Sequence, residues 1–405
     1  MLTRRMRRCA EGIVVLGAAL CASAGLAQSD VSAVRPLRTA PTEKFTVNAG
    51  VRDWGPATIA GQVILAGGPS GSGGLFAVDM LSGKLKWSYR PAKINGSVST
   101  PPAVSGNIVI APFGAANPGA VVAVSLATGK ELWRGPDPAV HAAVATHAGL
   151  AYILSKDGNF YALDAATGRE VWKVAFTRKR AACASQPIVR DDTLYLTAGT
   201  DATVGTDPKP ASDYLFALDA KTGQERWRYR ANVPDQYAAA CLQQPIVTVD
   251  TIYATGDSRL YAVERASGRE RWPSSEVRRP VEGRNRLVEV HGLVDAGAVL
   301  VGISSGFLIA FDKVTGQIAW DLPGAYNESN PSTALAGRVL YFQGSPAIKP
   351  AAQARATLHA LDLDTRSILW SFSRPTAEAH WPFGHVTPVD DGLWVDSYSA
   401  LVKLQ

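Results

Sequence analysis

The stretch Tyr161–Trp172, YALDAATGREVW, decides the fold because the chain writes the same pattern seven times. An alternating apolar run ends at Asp164, a Thr-Gly pair follows, and Trp172 closes the phrase. The alternation predicts a half-buried β-strand. Asp and Gly favour a tight turn, because Asp bonds its own backbone and Gly accepts a positive φ. Each phrase therefore predicts a β-hairpin whose second strand carries a tryptophan.

The phrase recurs with the spacing D-x3-G-x3-W, a polar residue sometimes replacing the Asp. Its seven tryptophans are Trp87, Trp133, Trp172, Trp227, Trp272, Trp320 and Trp370. Successive tryptophans lie 39 to 55 residues apart, which is typical of propeller blades with one four-stranded sheet each. We interpret these residues as structural, filling the gap between blades, and not as a cofactor site. Arg366 stands where six phrases have Gly, so we expect the seventh turn to be strained or differently shaped.

The two ends of the chain predict how the propeller closes. Two further strands lie between successive phrases, and an eighth unit, VTPVDDGLWVDS followed by ALVKLQ, stops one strand short. Near the other end, EKFTVNAG (Glu43–Gly50) has no blade of its own. We therefore predict an all-β protein, a closed eight-bladed β-propeller with four-stranded antiparallel blades. Its N-terminal strand, Lys44–Asn48, completes the last blade and removes exposed sheet edges.

The first residues predict export. MLTRRMRR supplies a positive flank, GIVVLGAAL an apolar core too short to span a bilayer, and Gly25 and Ala27 a cleavage site. We expect a signal peptide over 1–27, an extended linker over 28–42 and the propeller over 43–405. Lipid anchoring at Cys21 is disfavoured because Leu20 is large, and a buried N-terminal helix is the other alternative. The mature chain is expected to be periplasmic and monomeric, with no transmembrane segment.

Charge and residue patterns exclude several function classes. The signal carries four Arg and one Glu, so its removal lowers the net charge from +6 to about +3. Neither this charge nor any motif favours nucleic-acid binding. The sequence contains no CxxC, no haem-attachment motif and no zinc-ligand spacing. The six His are spread over several predicted blades and no nucleophile elbow occurs, so we predict no catalytic, cofactor-binding or metal-binding residue.

Two cysteines remain in the expected mature chain. CASQPIV and CLQQPIV place Cys183 and Cys241 at the same position of neighbouring blades, at the start of an innermost strand near the channel mouth. Equivalent residues one blade apart should lie about 7 Å apart between Cα atoms, near the upper limit for an unstrained bridge. The periplasm allows disulfides. The two residues are therefore either a disulfide tying two blades or a pair of buried thiols.

The phrase LDxxTGxxxW resembles the tryptophan-docking motif of the pyrroloquinoline-quinone (PQQ) repeat family, over nearly all of the chain after residue 43. Two branches of that family have eight blades: the quinoprotein alcohol dehydrogenases and the smaller non-catalytic propellers of the outer-membrane assembly factor (BamB) type. The resemblance to the first branch implies PQQ with calcium, held beside a vicinal Cys-Cys pair. No two cysteines are adjacent here. Chain length favours the second branch, which implies no cofactor.

A shorter resemblance concerns GRNRLVEVHG, residues 283–292. It is similar to the RLxDV stretch with which assembly-factor propellers hold the barrel-assembly machinery, and it implies that role for Arg286, Leu287 and Glu289. The stretch departs from the pattern in having His291 where an acid is expected, and in following the fifth tryptophan phrase. The alternative is an ordinary solvated basic loop.

Loop lengths predict which face binds. The turns joining strands one to two and three to four of each blade are short and share one face, which we call the plain face. The long connections share the opposite, elaborated face, where binding is expected. That face also carries the basic residues Arg178, Lys179, Arg180, Arg278 and Arg279. Their complement would be an acidic protein surface or an anionic ligand, and scattered solvated arginines are the alternative.

These observations favour a periplasmic, non-enzymatic scaffold that binds envelope proteins, similar to the factor that assists outer-membrane β-barrel assembly. The alternatives are a PQQ-dependent quinoprotein oxidoreductase and a propeller that binds a polysaccharide or small ligand.

Overall fold

The computed structural model describes residues 34–47, 54–68, 74–92, 98, 100–113, 119–135, 144–155, 158–175, 181–200, 213–231, 242–256, 258–281, 283–304, 306–324, 333–344, 357–373, 383–397 and 400–405. The expected signal segment, with Cys9 and Cys21, lies outside these residues, as do Arg178, Lys179, Arg180 and Cys241. The described residues form β-strands joined by turns and contain no helix.

The strands form eight sheets, each numbered here from its innermost to its outermost strand. Blade 1 contains β2 (Thr58–Ala60), β3 (Val63–Gly67), β4 (Leu75–Asp79) and β5 (Leu85–Tyr89). Blade 2 contains β6 (Ala103–Ser105), β7 (Ile108–Phe113), β8 (Ala120–Ser125) and β9 (Glu131–Arg134). Blade 3 contains β10 (Ala145–His147), β11 (Leu150–Leu154), β12 (Asn159–Asp164) and β13 (Glu170–Ala175). Blade 4 contains β14 (Ala181–Ala184), β15 (Ile188–Arg190), β16 (Thr193–Thr200), β17 (Asp213–Asp219) and β18 (Glu225–Arg230).

The second half repeats this arrangement with one insertion. Blade 5 contains β19 (Ile246–Val247), β20 (Thr251–Gly256), β21 (Arg259–Glu264) and β22 (Glu270–Glu276). A separate two-stranded ribbon follows, β23 (Arg278–Val281) and β24 (Arg284–Leu287). Blade 6 contains β25 (Val290–Asp295), β26 (Val299–Ser304), β27 (Phe307–Asp312) and β28 (Ile318–Pro323). Blade 7 contains β29 (Thr333–Ala336), β30 (Val339–Gly344), β31 (Thr357–Asp362) and β32 (Ser367–Phe372). Blade 8 contains β33 (Phe383–Val389), β34 (Gly392–Ser397), β35 (Leu401–Leu404) and β1 (Glu43–Val47).

The predicted closure is confirmed. The N-terminal strand β1 pairs antiparallel with β35 near the C-terminus, from Glu43 opposite Leu404 to Val47 opposite Leu401. Blade 8 therefore combines strands from both ends of the chain, and the first strands of several neighbouring blades contact each other. The eight-bladed, all-β prediction is correct.

Blade 4 departs from the four-strand rule because its innermost strand is interrupted. Both β14 and β15 pair with the long strand β16. Pro187 lies between them and has no backbone N–H to give to the sheet. Ser185, two residues earlier, still donates its backbone N–H to the carbonyl of Thr197, so the break is local.

The tryptophans of the phrases pack between blades, as predicted. Trp133 of blade 2 is 9% exposed, and it donates its indole N–H to the carbonyl of Ala165 in the adjacent blade 3. Its ring lies under Gly168, where an added Cβ would come within 2.6 Å. Gly168 has φ +72°, the left-handed region in which glycine avoids steric strain. The glycine thus both makes the turn and leaves room for the neighbouring ring.

The seventh turn keeps this shape without a glycine. Arg366 adopts φ +57°, so the expected strain is present while the turn remains left-handed. Its guanidinium carbon lies 5.6 Å from the ring centroid of Trp320 in the preceding blade. A cation–π contact therefore takes the place of the close glycine–ring approach.

Residues 34–42, expected to belong to a linker, run against blades 7 and 8. The backbone of Leu37 is hydrogen-bonded to the side chains of Trp370 and Tyr341 in blade 7, and Thr42 and Gln405 exchange two backbone hydrogen bonds. The contacts of the propeller therefore begin at residue 34, before β1. No sequence pattern in this segment repeats elsewhere, so periodicity could not have found it.

Candidate partner-binding site

The ribbon β23–β24 is the described element that stands outside the eight blades. It connects the outermost strand of blade 5 to the innermost strand of blade 6, so it lies on the elaborated face. Its base is fixed by Val277 and Val288, which are both buried and joined by a backbone hydrogen bond of 2.9 Å. Two buried valines at the base therefore hold a polar hairpin that extends from the core.

The register of the ribbon determines which side chains share a face. Arg278 pairs with Leu287, and Arg279 pairs with Arg286. Because side chains alternate along a strand, Arg279 and Arg286 lie on one face of the ribbon. Two arginines directly opposite each other repel, so this face needs a nearby carboxylate.

Asp321 at the end of blade 6 supplies that carboxylate. Its Oδ2 lies 2.5 Å from Nε of Arg279, whose side chain is only 12% exposed. On the other face, Arg278 pairs with Glu276 at 2.8 Å, and Arg259 also contacts Glu276 at 2.9 Å. The structure thus gives Arg279 an anchoring contact that holds the ribbon to blade 6.

The exposed side chains of the ribbon lie mainly on its second strand, β24. Arg284, Asn285 and Arg286 are exposed, and Leu287 is half-buried. Glu289 is exposed, and its Oε2 lies 3.4 Å from Nε2 of the buried His291. The hydrogen bond from His291 lowers the pKa of Glu289 although burial opposes it, so the carboxylate is ionised at neutral pH. The site therefore offers cationic groups beside one carboxylate and one apolar side chain.

The other predicted site residues are only partly placed. Arg178, Lys179 and Arg180 lie outside the described residues. Cys183 lies in β14 opposite Gly199, at the elaborated end of the innermost strand as predicted, whereas Cys241 is outside the described part. The disulfide therefore stays a prediction.

Sequence reasoning missed the two carboxylates that organise the ribbon. Glu276 and Asp321 lie in the outermost strands of blades 5 and 6, and Asp321 is 42 residues from Arg279 in the chain. The role of Asp321 depends on which blades are adjacent, whereas Glu276 contacts Arg278 two residues later and Arg259 of its own blade; no local motif records either contact. The facing pair of Arg279 and Arg286 could have indicated a nearby carboxylate, but recognising that pair requires knowledge of the hairpin register.

The quinoprotein enzymes hold their quinone and its metal with a cluster of metal ligands and a pair of adjacent cysteines. No group of three or more His, Cys, Asp or Glu that could hold a metal ion occurs among the described residues. The adjacent cysteines of the quinoprotein enzymes are not in the sequence. Neither feature is therefore found, the metal-ligand cluster among the described residues and the adjacent cysteines in the sequence. Across the same described ranges, no helix is both long enough and apolar enough to cross a membrane.

Eight blades joined by a repeated tryptophan phrase define an eight-bladed β-propeller of the PQQ-like repeat class. A family model described as outer membrane protein assembly factor BamB matches residues 117–372, and the chain belongs to this family. The crystal structure of BamB from Moraxella catarrhalis shares the fold, with a TM-score of 0.63 and 15% identity over 90% of this chain and 97% of that chain.

Curated relatives come from both branches. BamB of Nitrosomonas eutropha is 28% identical over 174 residues, which are 43% of this chain and 36% of that protein. The quinoprotein alcohol dehydrogenase PedH of Pseudomonas putida is 24% identical over 166 residues, 38% of this chain and 25% of that enzyme. The matched regions thus span between 25% and 36% of these relatives' lengths.

Proposed function

We propose that the protein is a non-catalytic scaffold of the periplasm that binds a component of the outer-membrane barrel-assembly machinery. Membership in the BamB family supports this proposal. The observation that carries it is the ribbon β23–β24 on the elaborated face, whose second strand contains the first two residues of the RLVEV stretch, exposed Arg286 and half-buried Leu287. A basic surface with one apolar side chain suits a partner segment that is acidic and partly apolar.

A co-purification experiment tests the proposal. The tagged full-length chain is expressed in its native envelope, and the central barrel protein of the assembly machinery is quantified in the eluate. Arg286→Glu should reduce recovery at least about ten-fold, the effect typical of losing one interfacial charge contact. The ribbon should survive the change, because the new Glu faces Arg279 across the strands.

Arg269→Glu is the matched control. Arg269 is also an exposed arginine of the fifth repeat, but it lies in the turn between strands three and four on the plain face. It should leave recovery unchanged. If both variants lose the partner equally, only net charge matters and the ribbon has no special role. If the unmodified chain recovers no assembly component, the proposal fails.

A quinoprotein oxidoreductase is the second candidate, favoured by the similarity to PedH. It predicts a quinone absorbance band and dye-linked alcohol oxidation after incubation with PQQ and Ca²⁺. A protein that shows both and binds no assembly component belongs functionally with the enzymes.

A further inference from the structure

Residues 34–47, which we call the closing segment, complete the ring. They continue along the chain into blade 1, and only non-covalent contacts join them to blades 7 and 8. Blade 8 differs from the other blades because its third and fourth strands, β35 and β1, come from opposite ends of the chain. It therefore has no hairpin of its own to cover the tryptophan of blade 7.

The closing segment substitutes for that hairpin. In blade 3, Trp172 and Tyr152 both donate to the carbonyl of Ala220, in the turn of blade 4, at 3.2 and 3.1 Å. In blade 7, the indole N–H of Trp370 donates to the carbonyl of Leu37 at 3.0 Å. The backbone N–H of Leu37 donates to the hydroxyl of Tyr341 at 2.6 Å. One carbonyl of the segment thus takes the place of a turn carbonyl.

A buried charge and a small residue complete the contact. Arg38 forms an ion pair with Asp362, whose side chain is 4% exposed. The backbone N–H of Thr365 and the Arg38 guanidinium hold the pKa of Asp362 at about 2, so Arg38 meets an ionised carboxylate. The Pro36 ring lies over Gly337, and a Cβ added to Gly337 would be 3.6 Å from that ring. The groove thus contacts the side chains of Pro36 and Arg38 and the backbone of Leu37.

The downstream half of the segment is recognised as a strand. β1 pairs with β35, and the Phe45 ring lies under Gly83 of blade 1, where an added Cβ would come within 2.5 Å. Tryptophan rings meet the corresponding glycines in the blades that follow. Phe45 therefore does for blade 1 what the tryptophans do elsewhere.

We propose that the propeller binds the closing segment in the way that it would bind a separate peptide. The groove between blades 7, 8 and 1 will therefore exchange the segment for a peptide of the same sequence supplied in trans. The ligand class is an extended chain with Leu-Arg five residues upstream of a short β-strand containing Phe. The inference does not depend on the proposed function.

The test uses the full-length chain with a protease site inserted between Ala49 and Gly50. After cleavage, the segment should remain bound during gel filtration, and an excess of fluorescent peptide of residues 34–49 should replace it while the propeller stays folded. Cleavage that unfolds the whole ring would overturn the proposal. So would a cleaved, folded protein that never takes up the peptide.

Matched variants locate the recognition. Arg38→Ala in the peptide should speed its release about ten-fold or more, because the buried Asp362 carboxylate loses its cation and keeps only its backbone hydrogen bonds. Arg35→Ala, at an exposed position three residues earlier, should change release less than about two-fold. In the protein, Trp370→Phe should speed release about three- to ten-fold, the factor expected for one hydrogen bond.

Trp133→Phe removes the same indole N–H from blade 2, where the acceptor, Ala165, belongs to a covalently continuous blade. It should leave peptide release unchanged. Equal effects of the two tryptophan variants, or of the two arginine variants, would show that the groove does not read the segment as proposed.

Discussion

At the scale of single residues, a glycine in the turn of one blade lies on a tryptophan ring of the preceding blade. Gly168 has φ +72°, and its Cβ position is 2.6 Å from Trp133. We predict that Gly168→Ala lowers the free energy of unfolding by about 3 kcal/mol, from about 1–2 kcal/mol of left-handed strain and a similar cost of overpacking. Denaturant unfolding measures the loss.

Gly149→Ala provides the control for strain alone. Gly149 has φ +79°, and nothing lies within 4 Å of its Cβ position. This variant should lose only about 1–2 kcal/mol. If the two alanine variants lose the same free energy, the close ring contact at Gly168 has no energetic importance.

A second residue-scale prediction concerns the carboxylate of the blade 4 turn. Arg226 holds the pKa of Asp219 at about 2, with help from hydrogen bonds of Thr222 and Lys221 and against the effect of burial. A pKa lowered on folding adds stability above the unfolded value of 3.8, and this stability is lost as pH falls through about 2. We predict that Asp219→Asn costs about 1–2 kcal/mol at neutral pH, allowing for partial exposure.

The difference between wild type and Asp219→Asn should shrink as pH falls from about 4 towards about 2, because wild type then becomes neutral as well. Urea unfolding at several pH values measures it. A difference that is constant with pH would mean that the charge of Asp219 adds nothing beyond its capping oxygen.

At the scale of elements, the ribbon β23–β24 depends on a carboxylate from another blade. Asp321 offsets the facing pair of Arg279 and Arg286. We predict that Asp321→Asn leaves the blades intact but raises hydrogen exchange of the ribbon amides about ten-fold or more, because Arg279 loses its anion in a largely buried position.

Asp364→Asn is the control, because Asp364 pairs with Arg338 on the plain face with both side chains well exposed. Such surface pairs add little, so ribbon exchange should not change. Ribbon protection that is the same in both variants and in wild type would show that the valine base alone fixes the ribbon.

The elements also show how far sequence reasoning reaches. Blades with a D-x3-G-x3-W phrase were predictable because Asp164, Gly168 and Trp172 act within one hairpin and its neighbour. Closure by β1 was predictable by counting strands. The ribbon and the docking of Leu37 were not, because they depend on contacts between residues far apart in the chain. The candidate site was predicted as three residues of a motif and a set of basic residues on the elaborated face, and its supporting carboxylates required the structure.

At the scale of the whole molecule, blade 8 joins the chain ends and carries a buried charge. Lys403 has a fully buried side chain opposite Phe45, and it forms an ion pair with Asp391. The other seven blades have alanine opposite the tryptophan at this position, and these are Ala77, Ala123, Ala162, Ala217, Ala262, Ala310 and Ala360. The ion pair ties β35 to the turn before β34, in the blade that lacks a covalent hairpin.

Removing one partner of this pair should weaken the ring more than removing both. Asp391→Ala leaves the Lys403 ammonium buried without an anion and should cost about 3–5 kcal/mol, whereas Asp391→Ala combined with Lys403→Met should recover most of that loss. Burial lowers the pKa of Lys403 and Asp391 opposes that shift, so the lysine of the single variant gives up its proton more readily. The folded single variant then binds fewer protons than its unfolded state. The difference in free energy of unfolding between wild type and Asp391→Ala should therefore shrink as pH rises from about 7 to about 9. Denaturant midpoints of wild type, the single variant and the double variant across this range test the prediction. A loss of stability that does not change with pH, or a double variant no more stable than Asp391→Ala, would mean that the ion pair does not hold the closing blade.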